Sequence, residues 1–274
     1  MISVKDLKIR DPFIFFENGI YYLYSSGTGA DGVTPVFVCR KSADLETFGE
    51  PEIVFEPHSK FWATKNYWAP ELHKYNGKYY LFVSLKSETR TRGTQILVSG
   101  RPDGKFVPLT EYPVTPENWE CLDGTLFVDG GVPYMVFCRE WVEVGDGEIY
   151  IMPLTPDLKK ATGEPKKLFS ASGAKWVRSI SSGNYVTDGP FIVKAGDTYK
   201  MIWSSFSEKG YAMGLAESKS LYGPWINRDE QLNYDDGGHG MVLNKDGAEY
   251  IVYHAPNNPA GSERMKLMKF DFNK

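Results

Sequence analysis

One unit recurs five times along this chain, and that repeat constrains the fold more than any single motif. In each copy an acidic or histidine residue precedes a short apolar strand, an Asn-Gly or Asp-Gly type turn follows, and a second, aromatic-rich strand ends in small or polar residues. Asp11-Pro-Phe-Ile-Phe-Phe leads through Asn18-Gly19 to Ile-Tyr-Tyr-Leu-Tyr-Ser-Ser, and Glu71-Leu-His-Lys-Tyr leads through Asn76-Gly77 to Lys-Tyr-Tyr-Leu-Phe-Val-Ser. Asp123, Asp188 and His239 open the other three copies, with leading residues 51 to 65 positions apart throughout. That period suits four short strands and their loops, and no copy is large enough to fold alone. Further strands at Val36, Gln95, Glu148 and Ala212 supply outer pairs.

Five four-stranded antiparallel sheets set radially around a central channel make an all-β, five-bladed propeller, with residues 1–274 as one domain. A generic β-sandwich would need no such five-fold agreement. Composition points the same way: aromatics reach 15%, and 27 Gly with 17 Pro favour strands and tight turns over helices. The net charge of −4 lacks the basic excess of a nucleic-acid binder and suits a neutral substrate. Cys39, Cys121 and Cys138 are odd in number and lack paired short spacing, so they read as reduced, partly buried thiols. The N-terminus reaches charged residues at once and no apolar run approaches membrane-spanning length, so a cytoplasmic protein without membrane attachment is expected, or a secreted one if a signal has been removed.

In a propeller the innermost strand starts at one mouth of the channel and its hairpin partner returns there. The starts bring Asp11, Asp123, Asp188 and His239 to that mouth, with Glu71 as the blade-two equivalent. The returning ends add Ser25-Ser26, Ser84, Glu140-Trp141, Ser204-Ser205 with nearby Phe206, and His254. A ring of carboxylates in a narrow mouth is a poor design for stability, because like charges raise one another's pKa, and a good one for acid–base chemistry.

At this point the chain resembles glycoside hydrolase family 43, five-bladed propeller enzymes that cleave arabinose, xylose and sometimes galactose from plant polysaccharides. The resemblance spans essentially the whole chain and rests on Arg10-Asp11-Pro12, Trp68-Ala-Pro-Glu71, Leu122-Asp123-Gly-Thr-Leu-Phe, Thr187-Asp188-Gly-Pro-Phe and Gly237-Gly-His239-Gly-Met, in that order. It implies an inverting glycosidase with Asp11 as general base and Asp123 as the carboxylate that tunes the acid. Inversion needs an acid and a base roughly 6.5–9.5 Å apart, which carboxylates on different blades can provide. The family's acid is a glutamate where this chain has Asp188, one methylene shorter, so Asp188 and Glu140 both stand as acids. Alternation along the first strand points Arg10 away from Asp11. Arg264 resembles a substrate-contacting arginine of the fifth blade. His239 resembles a histidine near a structural calcium ion in the channel; no cofactor is otherwise implied.

Trp68, Trp119, Trp141, Trp203 and Phe206 are candidate sugar platforms, although blade interfaces claim most such rings, Trp203 first. Trp68, Trp141 and Phe206, with Arg264 and His254, make the expected oligosaccharide site. The expected activity is exo-acting release of a terminal pentose, α-L-arabinofuranose above β-xylose or galactofuranose. A non-catalytic sugar-binding propeller is the alternative of another class, and turnover separates the two.

Overall fold

The computed structural model describes residues 1–273. The paired turns of the sequence become hairpins because their residues tolerate left-handed backbone: φ is 51° and 79° at Asn18 and Gly19, 47° and 75° at Asn76 and Gly77, and 52° and 74° at Asp246 and Gly247. Blade one comprises Phe13–Glu17, Ile20–Thr28, Pro35–Ser42 and Glu52–Phe55, and blade two Lys65–Tyr75, Lys78–Lys86, Gly93–Ser99 and Val107–Pro108. Blade three comprises Cys121–Asp129, Val132–Arg139, Glu148–Pro153 and Lys166–Ser170, and blade four Asp188–Ala195, Thr198–Ser207, Gly210–Ser218 and Ile226–Asn227. All pair antiparallel in sequence order from the inside outward.

Blade five has three named strands, Gly238–Lys245, Ala248–Ala255 and Arg264–Phe270. Its outer edge is met by the N-terminal segment, where Lys8 bridges Arg264 and Ile9 N–H donates to the Glu263 carbonyl at 3.1 Å. The start of the chain thus pairs with its last blade and closes the ring. Arg264 serves this closure: its Nε donates to the Lys5 carbonyl at 3.0 Å, and its Nη1 to the carbonyls of Ser262 and Glu263.

Blade interfaces bury the large rings. Trp203, Tyr24, Phe37, Phe82 and Phe137 are fully enclosed, as are the three unpaired cysteines. Below the mouth the channel is filled: Phe13 packs on His73 and on Phe191 at centroid distances of 5.5 and 6.4 Å. Among the described residues no helix is long and apolar enough to cross a membrane.

Candidate active site

At the mouth, the innermost strand of every blade contains a left-handed residue or, in blade one, is entered two residues after one: Asp11 (φ 48°), Ala69 (46°), Asp123 (53°), Gly189 (50°) and His239 (59°). Each is followed by Pro or Gly. In blades two to five the strand pairing shifts register across this point. This changes the expected equivalence. Gly189, not Asp188, matches Asp11 and Asp123, so Asp188 stands one residue nearer the rim, level with Arg10, Trp68 and Leu122. Glu71 stands two residues deeper than its blade's left-handed position and is buried, its Oε2 3.3 Å from His73 Nε2.

The left-handed residue also breaks the alternation of the extended strand. Arg10 therefore faces the same space as Asp11, with its Nε 3.8 Å from Asp11 Oδ2 and its Nη1 3.3 Å from Glu263 Oε1. Only glycine fits at position 189 without strain, since a Cβ there would meet the His239 ring at 3.1 Å in a left-handed backbone.

These strands hold one another by a repeated clasp. The N–H of Asp11 donates to His254 Nδ1 at 3.2 Å, that of Asp123 to Ser84 Oγ at 2.8 Å, and that of His239 to Ser204 Oγ at 2.8 Å. In each case the acceptor ends the second strand of the preceding blade. The polar strand ends thus tie each blade to the next.

Above the clasps lies a cavity of about 620 Å³. Asp11, Asp123, Asp188, Glu140 and His239 line it, with Arg10, Tyr211, Trp68, Trp141 and Phe206 around them. Asp11, Asp188 and Glu140 come from blade one, blade four and the second-to-third-strand loop of blade three. Blade one is a neighbour of neither of the other two, which leaves a sugar ring room between Asp11 and the pair Asp188 and Glu140 on the adjacent blades three and four.

The carboxylates differ in charge state. Burial alone would raise the Asp11 pKa, but His239, His254 and Arg10 outweigh it and hold the carboxyl well below the usual range. His239 Nδ1 is 3.4 Å from Asp11 Oδ1 and 3.8 Å from Asp123 Oδ2. Its own pKa, lowered by burial, is brought up to about 8 by the surrounding carboxylates, Asp11 and Asp123 first. Burial, with the charges of Asp11 and Glu71, pushes Asp123 up to about 6 against the opposing His239 and the Gly189 N–H, which donates to Asp123 Oδ2 at 2.9 Å. Asp188 reaches about 7 through burial and the charge of Asp123, although Tyr211 donates its hydroxyl to Asp188 Oδ2 at 2.9 Å. Glu140 also reaches about 7, through burial and the charge of Asp188, despite an ion pair with Arg92. The mouth therefore sets one ionised carboxylate against two that are about half protonated at neutral pH.

Two expected substrate contacts are corrected. Arg264 is spent on ring closure and does not line the cavity, because the inward-reaching member of its segment is the preceding Glu263. His254 is fully buried behind Asp11, its Nδ1 3.3 Å from Asp11 Oδ1 and its ring stacked on Tyr211. Trp203 is core, and Trp119 lies under Arg139 outside the cavity. Trp68, Trp141 and Phe206 do line it. Sequence reasoning missed Arg92, whose guanidinium stacks on Trp68 at 4.4 Å while pairing with Glu140, and Tyr211. Both begin or abut third strands at the mouth, a place the hairpin rule identifies once extended by one strand.

The calcium reading is tested by the donor set. Calcium takes roughly six to eight oxygen ligands. Around His239, Asp123 Oδ1 accepts from Ser84, Oδ2 accepts from Gly189, and Glu71 is paired with His73. Among the described residues no group of three or more His, Cys, Asp or Glu side chains could hold a metal ion. His239 Nε2 is buried without a protein partner, and one nitrogen does not make an oxygen cage. The residues do not fit calcium, and His239 takes the place expected of a metal ligand as a cation in its own right.

A five-bladed propeller whose mouth opposes ionised and protonated carboxylates in a sugar-sized, aromatic-rimmed cavity defines a glycosidase. The chain belongs to the glycosyl hydrolases family 43, whose sequence profile matches residues 3–270. It is thus a glycoside hydrolase of an inverting family, with an oligosaccharide as substrate and no cofactor in the hydrolysis. A solved endo-arabinase from Bacteroides thetaiotaomicron VPI-5482 is 42% identical, with a TM-score of 0.91 over 99% of this chain and 97% of that one. The extracellular exo-α-(1→5)-L-arabinofuranosidase ArbA of Cellvibrio japonicus (strain Ueda107) is 24% identical over 92% of this chain and 80% of its own length. The extracellular endo-α-(1→5)-L-arabinanase 1 of Bacillus subtilis (strain 168) is 24% identical over 84% and 71%. Two of these relatives are extracellular, which overturns the expected cytoplasmic location; the charged N-terminus on which it rested carries no weight against them.

Proposed function

We propose that the protein hydrolyses α-L-arabinofuranosyl linkages with inversion, releasing the terminal arabinose of α-1,5-linked oligosaccharides, and that residues 1–274 act as one catalytic domain. The observation that carries this reading is the placement of two carboxyls in one cavity: Asp11 of blade one, with His239 Nδ1 at 3.4 Å and Arg10 Nε at 3.8 Å, and Asp188 of blade four, bonded by the Tyr211 hydroxyl at 2.9 Å; these surroundings hold the Asp11 carboxyl low and push Asp188 up to about 7. Asp11 takes the proton of the attacking water. Asp188 protonates the leaving oxygen, and the charge of Asp123 beside it keeps that proton on Asp188. Arg10, held by Glu263, takes the substrate-facing role expected of Arg264, and Trp68, Trp141 and Phe206 are the platforms for sugar faces.

The names of the relatives favour arabinose over xylose. A second reading, internal cleavage, is favoured by the 42% identity to an endo-arabinase. Proton NMR on fresh turnover of arabinohexaose tests both points. The expected first product is β-arabinose; retention would remove Asp11 from its role. Early arabinobiose and arabinotriose in place of arabinose would establish internal cleavage.

A further inference from the structure

On the blade-two side of the same face lies a second cleft that the hydrolytic site does not use. Cavities of about 360 and 200 Å³ share the side chains of Trp62 and Tyr112. Tyr112 is 41% exposed, and one face of its ring carries the Arg90 guanidinium at 4.0 Å, so its accessible surface belongs to the opposite face and edge. Trp62 is held in place from beneath: its indole N–H donates at 3.0 Å to Oε1 of Gln95, a fully buried side chain whose Nε2 donates to the Thr110 carbonyl at 2.8 Å. A buried amide spent on orienting a half-buried indole makes a preformed platform, the arrangement that lowers the entropic cost of binding a flexible chain.

The polar lining states the ligand's chemistry. Arg90 is neutralised by Glu117, Nη2 to Oε1 at 3.0 Å, and Ser87 and Asn118 add an uncharged hydroxyl and an amide. Lys60 and Glu111 add one charge of each sign to the smaller cavity, so a cleft whose charges balance and which carries two aromatic rings selects a neutral, hydroxyl-rich ligand with apolar faces, not an anion or a peptide of one charge sign. It also adjoins the catalytic cavity. Arg90 and Arg92 share one loop, and Arg92 lies against Trp68 on the cavity rim.

We propose that the Trp62–Tyr112 cleft is a distal binding site for a neutral polysaccharide chain, engaged when the substrate is long enough to extend past Trp68. This rests on the arabinan reading for the identity of the chain, but the existence of the site does not. The test is affinity electrophoresis of the wild type and Tyr112→Ala in gels containing linear arabinan, xylan or galactan, with thermal melts to verify folding. Kinetics on arabinan and on arabinotriose run alongside. Tyr112 does not line the catalytic cavity. The variant is expected to lose retardation and to raise KM on the polymer roughly three- to tenfold, the loss of one stacked aromatic contact, with arabinotriose kinetics kept within twofold. Trp62→Phe, which keeps an apolar ring but removes the bond to Gln95, is expected to fall between. Retardation by xylan or galactan instead, lost in the variant, would uphold the cleft while overturning arabinan as the chain. Absence of retardation in every gel, retardation unchanged in Tyr112→Ala, or equal losses on polymer and trisaccharide would overturn the cleft.

Discussion

His239 of the fifth blade and Asp11 of the first meet across the closure of the ring, with Nδ1 3.4 Å from Oδ1. The same imidazolium stands 3.8 Å from Asp123, so one cation sets the proton affinity of the base and of the carboxylates opposite it. Removing it raises the pKa of Asp11, Asp123 and Asp188. In His239→Asn both limbs of the kcat/KM profile are therefore expected to move to higher pH, by about one unit or more for a lost charge at this range. A profile that falls in amplitude without moving would reduce His239 to packing.

Asp11→Asn keeps the volume of the base and removes its acceptor. Activity is expected to fall roughly 10²- to 10⁴-fold. The thermal transition should change little, because the backbone clasp to His254 survives the substitution. Near-normal turnover in a folded variant would make Asp11 a turn residue alone.

The mouth also costs stability, in a pH-dependent way whose sign follows from the shifts. Asp123 and Asp188 hold protons more tightly folded than unfolded, so the stability they contribute is whole below the ordinary aspartate range. It is lost as pH rises through about 6 and about 7. His239 works in the same direction, its contribution complete below the free-histidine value and lost through about 8. Asp188→Asn removes one of these buried charges. Its Tm at pH 8 is expected to exceed that of the wild type by roughly 2–4 °C, and the difference should vanish near pH 4. A lower Tm at both pH values would mean that the bond from Tyr211 outweighs the relief of charge.

The blades were legible because their information is local. Asn18-Gly19 and Asn76-Gly77 announce their hairpins, and the apolar strands around them have few other partners. The mouth was legible in part. Asp11, Asp123 and His239 stand where strand starts predicted them, but the left-handed turn within each strand is marked only by the following Pro or Gly. It moved Asp188 and Glu71 off the common level and brought Arg10 inward against alternation. Arg264 and Glu263 are neighbours that face opposite ways, a distinction set by the N-terminal segment docking on one of them. Arg92 and Tyr211 gain their roles through loops of unequal length, which no repeat arithmetic registers.

Asp188 and Glu140 are both pushed up to about 7, and their surroundings distinguish them as acids. Glu140 is clamped: Arg92 pairs with it, Trp68 stacks on that guanidinium, and Asn66 accepts from its other nitrogen at 3.3 Å. A carboxyl that gives up its proton toward a fixed cation gains from that ionisation, and its motion is restricted. Asp188 instead faces Asp123, whose charge favours retention of the proton, and it accepts a bond from the neutral Tyr211 hydroxyl. A general acid matters most when the leaving group is a sugar hydroxyl and little when it is an acidic nitrophenol. Asp188→Ala is therefore expected to lose most activity on arabino-oligosaccharides while keeping much of it on 4-nitrophenyl α-L-arabinofuranoside, and the basic limb near pH 7 should disappear. Glu140→Gln should raise KM on both substrates without that leaving-group dependence. If the dependence appears in Glu140→Gln and Asp188→Ala loses both substrates alike, Glu140 is the acid, Asp188 binds substrate, and Arg92 is the cation that stabilises the Glu140 carboxylate left after the proton is given to the leaving oxygen.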